Sequence, residues 1–325
     1  MDPSTNGPLP IWIWIDPTRR CNLACNLCYT KNAHSQEDLS ITTFVDIVER
    51  VCAESRISIH QMTLNWRGEP TLNRNFPAML GFLKQHYNHF PVEFHTNATA
   101  LTTKNSTAIV EACGPNVTIC ISIDGGNEAS HDAQRGPGTY RRAIRGAHAI
   151  LRARGTRGYP KVVLHQLDLR VNNDSYDADF LELSTIVDEW QQKFPIIPGG
   201  ERRLFKDAPL DPKGSAIITE WPRTKLPSVL PKGSCFWAGN ALCIAPNGDA
   251  SICLLAHDPT GILGNVISEE VWLIVTKARK WRENLMAHGR GSMSHCELCR
   301  MEEGNISAAW SASTRRTVDA KTNSR

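Results

Sequence analysis

The chain has 325 residues, of which 41% are hydrophobic and 21% are charged, an ordinary balance for a globular protein. Its 36 basic and 33 acidic residues leave a formal net charge of +3, which gives no reason to expect nucleic acid as the main partner. The apolar run Ile11–Ile15 is too short for a secretory signal or a membrane span, and no later stretch reaches membrane length. We therefore expect a cytoplasmic protein that does not bind a membrane and keeps its thiols reduced.

Eleven cysteines are informative in a reducing compartment, where clustered thiols indicate metal binding or catalysis. Seven of them fall into two spaced groups. The first group is Cys21, Cys25 and Cys28, and the second is Cys235, Cys253, Cys296 and Cys299. The remaining four are Cys52, Cys113, Cys120 and Cys243. The two groups predict two metal sites at opposite ends of the sequence.

Short β-rich runs alternate with helical patterns up to about Phe205. The predicted strands are Ile11–Ile15, Met62–Trp66, Val92–His95, Val117–Ile123, Val162–Leu167 and a weaker one near Arg203–Phe205. The predicted helices are Ile41–Cys52, Phe76–Tyr87, Lys104–Cys113, Thr139–Arg154 and Ala178–Lys193. Such alternation indicates parallel βαβ units. Six units predict an α/β fold with a partial (β/α)6 barrel instead of a closed eight-stranded one.

The chain after this alternation divides by composition. Residues 8–206 would form the partial barrel, 207–233 a proline-rich connector, 234–305 a small second domain and 306–325 a polar tail. Within the second domain, Pro246-Asn247-Gly248 predicts a hairpin turn, and a helix is expected from Ser268 to about His288.

The first cysteine group lies in the loop after the first predicted strand. Three thiolates can hold a 4Fe–4S cluster and leave one iron open for a chelating cofactor. Zinc knuckles and unrelated cysteines are the alternatives. The three-residue gap after Cys21 is not typical of zinc sites, and no fourth ligand follows at ligand spacing.

The segment CNLACNLCY resembles the signature of the radical S-adenosylmethionine (radical SAM) superfamily, although Leu27 replaces the usual aromatic residue. Arg67-Gly68-Glu69-Pro70 resembles the family's Gly-Gly-Glu-Pro turn, with Arg67 in place of the first glycine. His95-Thr96-Asn97 is similar to its Thr-Asn-Gly. The resemblance implies a SAM-binding 4Fe–4S cluster on the three cysteines. It also implies cofactor contacts from five residues, namely Gly68, Glu69, Asn97, Ser122 and Arg135.

The second cysteine group resembles the C-terminal extension called SPASM, in its shortened "twitch" form, because no cysteine follows Cys299. This resemblance implies one auxiliary 4Fe–4S cluster on Cys235, Cys253, Cys296 and Cys299. A zinc ribbon is the alternative. Cys243 lies between the first two ligands and leaves three interpretations open: a cluster ligand, an inert thiol, or a catalytic hydrogen-atom donor to a substrate radical.

The resemblance implies an enzyme that generates a 5′-deoxyadenosyl radical and receives its electron from a flavodoxin or ferredoxin. As in 2-deoxy-scyllo-inosamine dehydrogenase and neomycin-type epimerases, the expected substrate is a hydroxylated small molecule: an aminocyclitol, aminoglycoside or sugar. The product would be a ketone or an epimer. His165, Asp168 and Arg170 on the fifth strand are candidate base or substrate contacts.

Only twenty residues precede Cys21, which leaves no room there for a leader-peptide-binding domain. Modification of a ribosomal peptide is nevertheless the close alternative, because a separate protein can supply that domain. A non-catalytic iron–sulfur binding protein is an alternative of another class.

Overall fold

The computed structural model describes residues 7–26, 28, 30, 33–167, 175–193, 235, 238–254, 259–289 and 296. Within these residues the nine strands, numbered β1 to β9, are Leu9–Ile15, Ile57–Thr63, Val92–Thr96, Val117–Ser122, Lys161–Leu167, Glu189–Lys193, Ala241–Ile244, Asp249–Ser251 and Ile262–Asn265. The seven α-helices of the same described parts, numbered α1 to α7, are Ile41–Ala53, Phe76–His86, Thr103–Ala112, Glu128–Arg135, Thr139–Arg154, Ala178–Ile186 and Val271–His288.

All nine strands form one sheet in the order β6-β5-β4-β3-β2-β1-β7-β8-β9. The first six strands pair in parallel with their neighbours, with a helix between each successive pair. The predicted α/β architecture, with six parallel strands and helices between them, is therefore confirmed.

The C-terminal strands continue this sheet. Strand β7 pairs in parallel with β1, with Trp14 opposite Cys243, and β8 and β9 follow as antiparallel neighbours. The predicted turn joins β7 to β8, where the Gly248 N–H donates to the Ala245 carbonyl oxygen over 2.9 Å. Gly248 has φ +90, a conformation that favours glycine. The strands of the expected second domain thus extend the sheet of the barrel at its β1 edge.

The two faces of the sheet differ in what covers them. On what we call the outer face, alternate strand residues such as Phe94 and Ile119 join the helices in one apolar core. The opposite, inner face carries Trp14, Cys243 and Trp66 in a second cluster. Because side chains alternate along a strand, Glu93, His95 and Cys120 also belong to the inner face.

The predicted helix Ala178–Lys193 is wrong in its second half. Helix α6 begins at Ala178, after Asp177, whose carboxylate accepts from the Phe180 N–H, and it ends at Ile186. Residues Glu189–Lys193 form β6 and pair in parallel with β5, and the Trp190 and Phe180 ring centroids lie 5.2 Å apart. Sheet pairing and this aromatic contact outweigh the helix propensity of EWQQK.

Smaller differences concern element limits. Strand β2 ends at Thr63 and not at Trp66, because residues 64–69 turn along the edge of the sheet. Helix α7 begins at Val271, three residues later than Ser268, and the sequence analysis does not predict α4. The expected strand Arg203–Phe205 and the connector lie outside the described residues. Within the described parts of the chain, no helix combines the length and apolarity that a membrane crossing requires.

Candidate functional site

The carboxyl ends of β1 to β4 meet at one edge of the sheet, where ligands of parallel α/β folds bind. The first cysteine group follows β1 and is tied to this edge. The Asn26 N–H donates to the Gln134 carbonyl oxygen over 2.8 Å, and its side-chain amide donates to the Ala133 carbonyl oxygen over 2.8 Å. Helix α4 thus holds the middle of the loop, between Cys25 and Cys28.

The three thiols of the first group share one partly exposed site. Burial raises the pKa of Cys21 to about 12, and the charges of Glu69, Cys25 and Cys28 act in the same direction. Burial also raises the pKa of Cys25, against a lowering by Arg135. A raised pKa means that the thiols of Cys21 and Cys25 favour the neutral form. A bound metal cation stabilises the thiolate form of such groups. The donor set therefore fits a 4Fe–4S cluster with three protein ligands.

Glu69 is buried beside this site and fixed by four donors. Its carboxylate accepts from the Thr96 hydroxyl over 2.6 Å and the Asn97 N–H over 2.7 Å, and from the N–H and hydroxyl of Thr71. Burial raises the pKa of Glu69, and these hydrogen bonds oppose the shift. A rigid carboxylate electrostatically coupled to Cys21 can bind the ammonium group of a cofactor chelated at the open iron.

Gly68 lies directly against the segment that leads into Cys21. A Cβ atom at this position would come 2.1 Å from the Thr18 carbonyl oxygen and 2.5 Å from that of Arg20. The Glu69 N–H donates to the same Arg20 oxygen over 2.7 Å. In the structure, the backbone of Gly68 therefore lies against the segment that leads into the cysteine loop. The resemblance implies instead a contact between Gly68 and the cofactor.

The ends of β3 and β4 complete the edge. The Asn97 side chain donates to Asn22 in the cysteine loop over 3.0 Å. Arg135 donates from Nε to the Asp124 carboxylate over 2.6 Å, and its charge acts on Cys25. Ser122 is nearly buried at the end of β4. Four of the five residues expected to contact the cofactor thus lie at the carboxyl ends of β2 to β4 or in the segments that follow them, and Arg135, the last residue of α4, reaches this edge through Asp124.

A buried ion pair at this edge joins the segments that follow β1 and β2. Arg67 Nε lies 2.8 Å from the Asp16 carboxylate, and its guanidinium stacks 4.0 Å from the Trp66 ring centroid. Burial raises the pKa of Asp16 to about 6, although Arg67 lowers it. The sequence analysis does not predict this pair, because the family resemblance assigns Arg67 only to the position of a glycine.

The second cysteine group is described only in part. Cys235 and Cys253 pack against the inner-face cluster that contains Cys243, and Cys296 is partly buried against the main core. Cys299 lies outside the described residues. Burial raises the pKa of Cys243 well above its usual range, and the charge of Cys253 acts in the same direction. The structure thus brings Cys243 close to Cys253 without distinguishing its three interpretations.

The fifth strand supplies one of its three candidates. His165 lies on β5, with its ring centroid 4.9 Å from that of His95 in an edge-to-face arrangement. Asp168 and Arg170 lie outside the described residues. The sequence analysis does not identify the neighbours of His95, namely Glu93 and Cys120. The alternation in VEFHT, with its polar second and fourth residues, was the signal that could have revealed Glu93.

Comparisons with known proteins agree with this geometry. Residues 15–175 match the family described as the radical SAM superfamily. The chain is 26% identical over 318 residues to mycofactocin maturase MftC of Mycolicibacterium smegmatis, covering 90% of this chain and 77% of that protein.

Two solved structures share the fold. That of anSMEcpe with bound AdoMet and Cp18Cys peptide has a TM-score of 0.59 and 15% identity, and covers 90% of this chain and 88% of that one. That of BtrN in complex with AdoMet and 2-DOIA has a TM-score of 0.50 and 13% identity, and covers 91% and 94%.

Proposed function

Because the chain belongs to the radical SAM superfamily, we propose that it is an enzyme that uses this chemistry to modify a peptide. Cys21, Cys25 and Cys28 hold the 4Fe–4S cluster that binds S-adenosylmethionine. When bound and reduced by a flavodoxin or ferredoxin, this cofactor supplies a 5′-deoxyadenosyl radical that abstracts a hydrogen atom from an unactivated C–H bond. The observation that carries the proposal is the fixed carboxylate of Glu69 beside Cys21, whose thiol also senses those of Cys25 and Cys28.

The chain's own residues position the cofactor. Glu69 accepts hydrogen bonds from its ammonium group, since no basic side chain pairs with this carboxylate among the described residues. Arg135, whose Nε is engaged by Asp124, offers its remaining N–H groups to the cofactor carboxylate. Asn97 donates its N–H to Glu69, Ser122 at the end of β4 is the candidate for a ribose contact, and Gly68 keeps Glu69 against the cysteine loop.

A peptide substrate is better supported than the small hydroxylated molecule expected from the sequence. The curated relatives are maturases that match across 90% of this chain, and a solved structure of the same fold holds a peptide together with AdoMet. The small-molecule substrate remains the second candidate.

We further propose that Cys235, Cys253, Cys296 and Cys299 hold one auxiliary 4Fe–4S cluster. Two of these cysteines, Cys235 and Cys253, adjoin one apolar cluster on the inner face that includes Trp14 of β1. A 4Fe–4S cluster held by the four cysteines would supply an electron acceptor for a net oxidation of the substrate. Cys243 serves instead as a hydrogen donor if the outcome is epimerisation.

Isotope transfer tests the proposed function. The reconstituted protein is incubated anaerobically with S-adenosylmethionine, dithionite and a perdeuterated precursor peptide encoded beside its gene, and 5′-deoxyadenosine is analysed by mass spectrometry. The expected result is deuterated 5′-deoxyadenosine together with a peptide of altered mass. Transfer from a deuterated aminocyclitol, and none from the peptide, would favour the second candidate. If S-adenosylmethionine is not cleaved at all, both candidate functions are refuted. That result is the one expected of a non-catalytic iron–sulfur protein.

A further inference from the structure

The inner face of the sheet carries a polar cluster that the cofactor site does not use. Glu93 and His95 lie on β3, Cys120 on β4 and His165 on β5, and these strands are adjacent. One ligand-type atom of each of Glu93, His95 and Cys120 lies within 4.8 Å of the others. A carboxylate, a thiol and two imidazoles on three neighbouring interior strands, opposite a face of the sheet that forms the apolar core, indicate a binding surface.

The two β3 side chains of this cluster are more exposed to solvent than the residues on either side of them in that strand. The side chains of Glu93 and His95 are 18% and 23% exposed, although β3 is an interior strand of the sheet. The alternate residues Val92, Phe94 and Thr96 are buried. The inner face is therefore open to molecules from solution at β3, while the outer face is closed by helices.

The position of His95 relates it to the cofactor site. It lies two residues before Asn97, whose N–H donates to Glu69, so it sits about 7 Å below that edge at the usual strand rise. The His95 N–H donates to the Asn65 side chain over 2.9 Å, which fixes the backbone there. A substrate whose C–H faces the cofactor would extend its neighbouring atoms toward this histidine.

The hydrogen bonding of His95 suits proton transfer. Its Nε2 lies 2.9 Å from a carboxylate oxygen of Glu93. An ionised carboxylate can only accept, so Nε2 carries the proton and Nδ1 keeps a lone pair in the neutral ring. A carboxylate that orients an imidazole in this way also stabilises the imidazolium that forms when Nδ1 takes a proton.

We propose that His95, oriented by Glu93, accepts a proton from the substrate in a two-electron oxidation. This inference rests on the proposed function. Abstraction of one hydrogen atom leaves a carbon radical beside an O–H or N–H group. The heteroatom proton passes to His95 and one electron passes to an oxidised iron–sulfur cluster, so a carbon–heteroatom double bond forms. His165, edge-on to His95, packs beside the acceptor and limits its orientation.

The test measures two products from one reaction mixture. Glu93→Gln and His95→Gln variants are supplied with whichever deuterated substrate, peptide or aminocyclitol, passes the isotope-transfer experiment. Deuterium transfer into 5′-deoxyadenosine should stay near the wild-type rate, because hydrogen abstraction precedes the proton step. The oxidised product should fall by about 10² to 10⁴-fold, the usual contribution of a general base. Exposed His86 on α2 provides the control variant His86→Gln, which should retain both rates.

Chemical rescue separates a proton acceptor from a structural residue. Added imidazole should restore part of the oxidised product in a His95→Ala variant and none in Glu93→Gln, which still has its imidazole. Three results would each overturn the proposal. The first is a His95→Gln variant that forms the product at the wild-type rate, and the second is an epimerised instead of an oxidised product from the wild type. The third is stoichiometric zinc that the wild type retains and the variants do not. A wild type that transfers no hydrogen from any substrate would overturn the proposed function and this inference together.

Discussion

Gly68 offers a direct test of how the cofactor edge is built. In Gly68→Ala the new Cβ would lie 2.1 Å from the Thr18 oxygen and 2.5 Å from the Arg20 oxygen. Both neighbours are backbone atoms and cannot rotate away. The turn and the cysteine loop must separate by about 0.9 Å before the shorter contact reaches 3.0 Å, below which real Cβ contacts essentially never occur.

The expected cost has two parts. Inserting a methyl group into a packed site costs about 1–3 kcal/mol. The same separation disrupts the 2.7 Å hydrogen bond from the Glu69 N–H to Arg20, which contributes about 0.5–1.5 kcal/mol. We expect Gly68→Ala to lower the free energy of unfolding by about 2–4 kcal/mol. A misplacement of about 1 Å can also reduce the rate about 100-fold.

Two measurements check this expectation, urea unfolding and the rate of 5′-deoxyadenosine formation. Gly81 is the matched control: it lies within α2, and a Cβ there would meet nothing within 4 Å. Gly81→Ala should raise stability by about 0.5–1 kcal/mol, because alanine loses less backbone entropy in a helix, and should not change the rate. A Gly68→Ala variant with wild-type stability and rate would refute the packing argument.

Three further predictions concern charge and metal content. Glu69→Gln should weaken S-adenosylmethionine binding about 10- to 100-fold by equilibrium dialysis, because a charged hydrogen bond contributes about 1.5–3 kcal/mol; unchanged affinity would contradict its role. Asp16→Asn should lower the free energy of unfolding by about 3–5 kcal/mol, because it leaves the buried Arg67 charge without its partner. As a control, Asp46→Asn breaks the exposed pair of Asp46 and Arg50 and should lower it by less than about 0.5 kcal/mol. Replacing the first cysteine group by alanine should remove about half of the iron if each group holds one cluster; complete loss would argue against the auxiliary cluster.

Cys243→Ala distinguishes the three interpretations of that thiol. Turnover in deuterated water should leave an oxidised or aborted product if Cys243 donates hydrogen. Loss of iron would indicate a ligand. Unchanged product and iron would leave a buried structural thiol, which is consistent with its complete burial.

The fold could be predicted from the sequence where short-range signals were strong. The strands β1, β3, β4 and β5 combine β-branched residues with clear flanking turns, and the strand-end motifs predicted the order of the site residues. Strand β6 could not be predicted, because Glu189, Gln191 and Lys193 favour helix and only pairing with β5 makes the segment extended.

The sequence supports a site prediction where a single residue type decides the chemistry, as at Cys21, and that assignment stays a prediction. Contacts whose partners come from distant parts of the chain could not be predicted. The ion pair of Asp16 and Arg67 joins residues 51 positions apart. The contact between His95 and His165 depends on which face of each strand is open, and no local pattern carries that information.

The parallel pairing of β1 with β7 has a consequence for synthesis. Strand β1 ends at Ile15, but its second neighbour begins at Ala241. At translation rates of about 5–20 residues per second, one edge of β1 waits roughly 10–50 s for its partner. During that time its backbone and its tryptophans are open to pairing with other chains. We therefore expect a version shortened before Ala241 to aggregate, so the two cysteine groups cannot be studied by dividing the chain between them.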